Sequence, residues 1–125
     1  LARILVIEDA EDVRQLMVDL LEAMNHSVVE VADGLSGVKA ALTEHPDLIM
    51  LDLMMPVASG ESALQFLRGT PELAQIPVLI VSAHSDIQRI AVRLGADAWL
   101  SKPVEMRDLR NKIEQLLAKK KTTNP

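Results

Sequence analysis

Four short apolar runs in this chain each stop at a polar residue. Ile4-Leu5-Val6-Ile7 leads to Glu8 and Asp9, and Leu48-Ile49-Met50-Leu51 leads to Asp52. Val78-Leu79-Ile80-Val81 leads to Ser82, and Trp99-Leu100-Ser101 leads to Lys102 and Pro103. Runs of this length with no polar alternation suit strands buried on both faces, as in parallel sheets covered by helices. Parallel strands of one sheet bring all their carboxyl ends to one edge.

The stretches between the runs carry helical periodicity. Residues 9–24 place Val13, Leu16, Met17, Leu20, Leu21 and Met24 on one stripe, with Asp9 as N-cap and Asp12 completing a loose capping box. Residues 27–31 read as a short strand. Leu35, Val38, Ala41 and Leu42 stripe a second helix that ends at His45-Pro46. After the strand at 47–51, a loop with Pro56, Ser59 and Gly60 opens a third helix through Ala63, Leu64 and Leu67. Gly69-Thr70-Pro71 breaks that helix, and Ile76-Pro77 opens the fourth strand.

Ile87, Ile90, Ala91 and Leu94 stripe a fourth helix, with Gly95 placed as its left-handed terminator. A fifth strand follows at 96–100. The last helix is striped by Leu109, Ile113, Leu116 and Leu117, and Lys119-Lys120-Lys121 suits the negative end of its dipole. The pattern is βα five times over. Right-handed crossovers then give an α/β fold, a doubly wound five-stranded parallel sheet. One domain is expected over 1–119, with 120–125 as a flexible tail or the start of a linker.

Composition bounds the function. The chain has 125 residues, 49% of them apolar, enough for a single core. Phe66 and Trp99 are its only aromatic residues, so that core must be aliphatic and methionine-filled. A formal net charge of −5 argues against direct nucleic-acid binding. The absence of cysteine excludes disulfides, thiolate metal sites and a cysteine nucleophile, and fits a reducing cytoplasm. No apolar stretch approaches the ~20 residues of a membrane helix, and no signal peptide is evident. The sequence starts at Leu1 rather than Met, as expected of a processed product or part of a longer protein.

On one sheet edge, Glu8, Asp9 and Asp52 would join Ser82 and Lys102. Three carboxylates can hold a hard divalent cation, one of them can act as a nucleophile, and a lysine can clamp phosphate. The segments Ile7-Glu8-Asp9, Asp52-Leu53-Met54-Met55-Pro56 with Gly60, Val81-Ser82-Ala83, 95–100 (GADAWL) and Ser101-Lys102-Pro103 carry a resemblance. In that order and at strand ends, they resemble the receiver domain of two-component response regulators. The resemblance covers the chain from about Arg3 to Leu117.

The resemblance implies a flavodoxin-like (βα)5 fold with strand order 2-1-3-4-5 and a site at the switch point between the first and third strands. It implies that Asp52 is the phosphoacceptor, and that Asp9 and Asp52 bind Mg2+ (or Mn2+) directly. Glu8 would bind through water, and the Met54 backbone carbonyl would add a ligand. Lys102 becomes the phosphate clamp, preceding a cis bond to Pro103. Ser82 donates its hydroxyl to the phosphoryl group, and small Ala83 lets the backbone approach it. Trp99 stands where the family has its switch aromatic, usually Tyr or Phe. Met54 and His84 occupy positions that tune loss of the phosphoryl group, although His84 can also cap the fourth helix. His26 and His45 read as solvated or turn residues.

The implied partners are a sensor histidine kinase or histidine phosphotransfer protein upstream and a downstream protein or effector domain. Dimerisation on phosphorylation is common in the family. The expected role is a cytoplasmic signalling switch, not a turnover enzyme, with neither nucleic acid nor membrane bound directly. Three other readings fare worse. An aspartate-nucleophile phosphohydrolase carries its nucleophile after the first strand and a second Asp two residues on, which 8–11 (EDAE) lacks. A flavin domain needs a Ser/Thr/Gly-rich loop where Glu8-Asp9 would repel phosphate. A phosphorylation-independent pseudo-receiver would not need the complete acid, serine and lysine set.

Overall fold

The computed structural model describes residues 2–55 and 60–122, with side chains through residue 119. Pro56, Ser59, Leu1, the tail at 123–125 and the side chains of Lys120 and Lys121 lie outside the described residues. The chain runs β1 (Arg3–Ile7), α1 (Glu11–Ala23), β2 (Ser27–Val31), α2 (Gly34–Glu44), β3 (Leu48–Leu51) and α3 (Gly60–Gly69). It continues through β4 (Val78–Ser82), α4 (Ile87–Leu94), β5 (Ala98–Ser101) and α5 (Met106–Thr122). All pairings are parallel, and the sheet order is β2-β1-β3-β4-β5. This is the doubly wound, flavodoxin-like arrangement that the sequence implies. α5 continues to Thr122, past the expected domain edge at 119; lysine sustains a helix well.

Strand alternation divides the core into two layers. Leu5, Ile7, Ile49, Leu51 and Ile80 face one side, packed with residues of α2, α3 and α4. Ile4, Val6, Leu48, Met50, Leu79 and Val81 face the other, packed with residues of α1 and α5. The core is aliphatic with buried Met17, Met50 and Met55, while Phe66 is exposed. The register fixes the site. Ile7 pairs with Leu51, so Glu8 and Asp52 leave the sheet side by side. Ser82 pairs with Ser101, so Lys102 emerges next to the end of β4.

Three local expectations are corrected. Asp9 is not the N-cap of α1: Ala10 holds that position without a side-chain bond. The Ala10 amide is instead satisfied by Glu8 Oε2 at 3.2 Å, and the Asp12 carboxylate stays local, accepting from the Val13 amide. The helical stripes are also rotated. Leu16 is 54% exposed while Val18 is buried, because α1 seats on the sheet through Met17, Val18 and Leu21. α2 turns Leu35 outward at 60% exposure and leans in through Gly34, Gly37, Val38 and Ala41, small residues that permit close approach. Finally, His26 is not simply solvated: its Nδ1 accepts from the Ala2 amide at 3.1 Å, and burial pushes its pKa down.

Helix ends follow side-chain chemistry. Asp33 caps α2 by accepting from the Ser36 amide at 2.8 Å and the Ser36 hydroxyl at 3.0 Å. His45 ends that helix in the left-handed conformation at φ 48°, and Gly95 ends α4 at φ 79°.

Gly60, at the start of α3, lies against the end of β3. A Cβ there would collide with the Asp52 carbonyl oxygen and come within 2.7 Å of Leu53 Cα. Backbone cannot yield as a side chain can. Gly60→Ala is therefore expected to lower urea-unfolding stability by roughly 1–3 kcal/mol, the usual range for overpacking. Gly69→Ala, where a Cβ meets nothing within 4 Å, should change it little. Equal effects of the two substitutions would contradict this placement of α3.

Candidate functional site

Four strand ends, of β1, β3, β4 and β5, build one cluster. Glu8 and Asp52, at 4% and 5% exposure, and fully buried Ser82 are the buried polar residues among those described. Ligand oxygens of Glu8, Asp9 and Asp52 lie within 4.8 Å of one another. Lys102 reaches in from the end of β5 and donates from Nζ to Glu8 Oε1 at 2.5 Å and to Asp52 Oδ2 at 3.1 Å. Its side chain is 21% exposed, so the ion pairs are mostly shielded from water. The Lys102-Pro103 bond is cis, as the resemblance implies. The Lys102 amide donates to the Ser82 carbonyl at 3.0 Å, which carries the β4–β5 pairing to the site's edge.

The two buried carboxylates differ. Burial pushes the Asp52 carboxyl up, but the Met54 amide (3.0 Å to Oδ1), the Lys102 ammonium and the Ser82 hydroxyl outweigh it. Asp52 is thus held below the usual carboxylate range. Burial also pushes Glu8 up, and there it prevails: Lys102 and the Ala10 amide oppose it, while the Asp52 charge adds to it. Glu8 has the shorter bond to lysine yet the higher pKa, because Asp52 has more donors. Burial would lower Lys102, but its bonds to Glu8 and Asp52 raise it, so it stays charged.

The other expected residues divide. Met54 contributes its backbone, while its side chain is 55% exposed. Ala83 is exposed beside Ser82, whose Oγ accepts from the His84 amide at 3.3 Å. His84 Nδ1 accepts from the Asp86 amide at 3.0 Å, so the imidazole closes the turn ahead of α4, whose N-cap position belongs to Asp86. Trp99 packs partly buried against the α2–α4 core layer and lines an open groove with Ile87, Arg89, Val92 and Arg93.

Sequence reading missed Arg14, whose Nη1 donates to the Glu8 carbonyl at 2.9 Å. It also missed Arg68, which ties the Gly95, Ala74 and Ile76 carbonyls to Asp97 at the far edge. Hydrophobic periodicity says nothing about a polar helix residue. Only the folded register shows which carbonyls such a residue meets.

Known proteins place the chain among relatives. The family model for the response regulator receiver domain matches residues 4–114. The polar-differentiation response regulator DivK of Brucella ovis is 34% identical over 106 residues, covering 82% of this chain and 85% of DivK. The DNA-binding dual master transcriptional regulator RpaA of Synechocystis sp. is 37% identical over 117 residues, covering 92% of this chain. The chain spans about half the length of such transcriptional regulators, 48% in the case of RpaA. The crystal structure of the signal receiver domain of a histidine kinase from Syntrophus aciditrophicus superposes with a TM-score of 0.85 at 30% identity. That match covers 94% of this chain and 91% of the other.

Lys102 compensates two buried negative charges. Without divalent metal at neutral pH, Lys102→Met should cost about 3 kcal/mol, the scale for breaking a buried pair. The deficit should shrink on acidification, as protonation of the two buried carboxylates removes the charge that Lys102 compensates. Because the folded pKa of Lys102 is raised, its stabilisation is complete below the ordinary value of 10.5 and is lost as pH climbs through the higher folded value. Lys102→Met should lack that alkaline loss. Urea unfolding across pH in EDTA measures both effects, and equal stability at neutral pH would contradict the assignment.

Proposed function

This chain belongs to the response regulator receiver family, and we propose that Asp52 accepts a phosphoryl group from a phosphohistidine donor and thereby switches a protein-binding surface. The observation that carries this reading is the Lys102 ammonium shared between Glu8 and Asp52, with Asp9 in the same cluster. An Asp52 oxygen attacks phosphorus, the bond to the donor imidazole nitrogen breaks, and an acyl phosphate forms on Asp52. Lys102 turns from the carboxylate to a phosphoryl oxygen, and the Ser82 hydroxyl donates to another. The backbone around Ala83 leaves room for the group.

The oxygen-only set of Glu8, Asp9 and Asp52 suits Mg2+, or Mn2+ in its place, with the Met54 carbonyl as a further ligand. When bound, the cation neutralises the charge that would otherwise repel the incoming phosphate. The chain's own part is positioning and charge, and the role is that of a switch that assists its own modification.

The donor is a sensor histidine kinase or a histidine phosphotransfer protein. The new dianion draws Ser82 and Lys102 inward, and the α4–β5–α5 face, with Trp99, responds. A downstream protein or effector domain then binds that face, and phosphorylation favours a dimer. No helix among the described residues is long and apolar enough to cross a membrane, and a cytoplasmic setting accords with the absence of cysteine.

Acetyl phosphate with magnesium should add one phosphoryl group to the parent by intact mass, none to Asp52→Ala, and should change Trp99 fluorescence. Addition to Asp52→Ala would overturn the acceptor. The exposed thioether of Met54 is a poor partner for an attacking water, and the His84 Nδ1 is engaged locally, which supports the reading of a long-lived phosphoryl group unless His84 assists its hydrolysis. Met54→Asn should speed its loss by about tenfold, one 1.4 kcal/mol step, while His84→Ala leaves it unchanged. A lifetime insensitive to Met54→Asn would refute the tuning role.

A further inference from the structure

We infer that Arg14 is a positioning residue for the metal-binding acids, clamping the backbone from which Glu8 and Asp9 extend. The inference rests on the magnesium reading above. Arg14 sits on the first turns of α1, and its side chain is only 17% exposed. Its Nη1 donates to the Glu8 carbonyl at 2.9 Å and, at the outer limit of 3.5 Å, to the Asp9 carbonyl. Its Nε donates to Glu30 Oε1 of β2 at 3.0 Å. Its own amide donates to the Ala10 carbonyl at 2.8 Å. One residue thus ties the β1–α1 loop to the start of α1 and to the neighbouring strand.

The clamp matters because the three acids are not held alike. Lys102 holds the Glu8 and Asp52 side chains, and the Met54 amide adds to Asp52. Among the described residues, no hydrogen bond holds the Asp9 carboxylate. Its position is inherited from its backbone, and that backbone's fixed point is the guanidinium. Glu8 is anchored on the other side by its amide, which donates to the Val31 carbonyl at 3.1 Å. Outer residues that orient ligands typically change metal affinity by about 10–100-fold when lost.

A lone cation beside a dication site would oppose binding. Glu30 cancels that charge at 3.0 Å, so the guanidinium can hold the loop without repelling the metal. The two roles separate experimentally. Loss of Arg14 loosens the loop at any ionic strength. Loss of the Glu30 charge leaves the loop clamped and exposes a repulsion that salt screens.

The test is calorimetric titration of the folded protein with magnesium chloride alone. Arg14→Met should raise the dissociation constant about tenfold, at low and high salt alike. Arg14→Lys should give a smaller rise, since an ammonium reaches one carbonyl but lacks the fork. Glu30→Gln should weaken binding at low salt only. Arg3→Met, which removes the Arg3–Glu44 pair, should leave affinity unchanged. Parent-like magnesium affinity in folded Arg14→Met overturns the inference, as it does in Arg14→Lys should Arg14→Met not fold. A parent that binds no magnesium overturns the metal assignment itself, and this inference with it.

Discussion

Two carboxylates buried within reach of one ammonium are the constraint around which this fold is organised. Glu8 and Asp52 are almost wholly removed from water, and each would be costly there alone. Lys102 makes the pair tolerable, yet its single positive charge faces two carboxylates. The pocket is electrostatically balanced only in part. That residual negative charge, with Asp9 added, makes a cluster that could hold a cation.

The sheet delivers this arrangement through register. β1 and β3 are neighbours although β2 lies between them in sequence, so Glu8 and Asp52 leave adjacent strands at the same level. Close approach is then permitted by two glycines in helices on one face of the sheet. The absence of a side chain on Gly60 lets α3 rest on the backbone of Asp52, and Gly37 lets α2 settle on Ile7, whose side chain a Cβ would strike. Packing of this density transmits small displacements instead of absorbing them. Ser82 pairs with Ser101 and Ile80 with Trp99, so the edge of the site and the indole belong to one β4–β5 ladder.

Much of this was legible in the residues. The apolar runs at 4–7, 48–51 and 78–81 became strands within a residue of their expected ends, because uninterrupted burial on two faces leaves few alternatives. Glu8, Asp9, Asp52, Ser82 and Lys102 were legible as a group because each follows such a run. The failures have a common physical cause. Leu16 and Leu35 fit a helical stripe by period, but the face a helix buries depends on the tilt at which it meets the sheet. Asp9 looked like a cap because its residue type favours one, yet α1 starts one residue later, with Ala10 in the N-cap position. Arg14 left no trace in periodicity, since its partners are carbonyls that only the fold brings near.

The most direct test is crystallographic. Crystals grown or soaked with Mn2+ and measured at an anomalous wavelength should show one strong peak bonded to carboxylate oxygens of both Asp9 and Asp52, with Lys102 alongside. A peak bound elsewhere, or none at a concentration that supports phosphorylation, would contradict a shared dication at the head of β1 and β3.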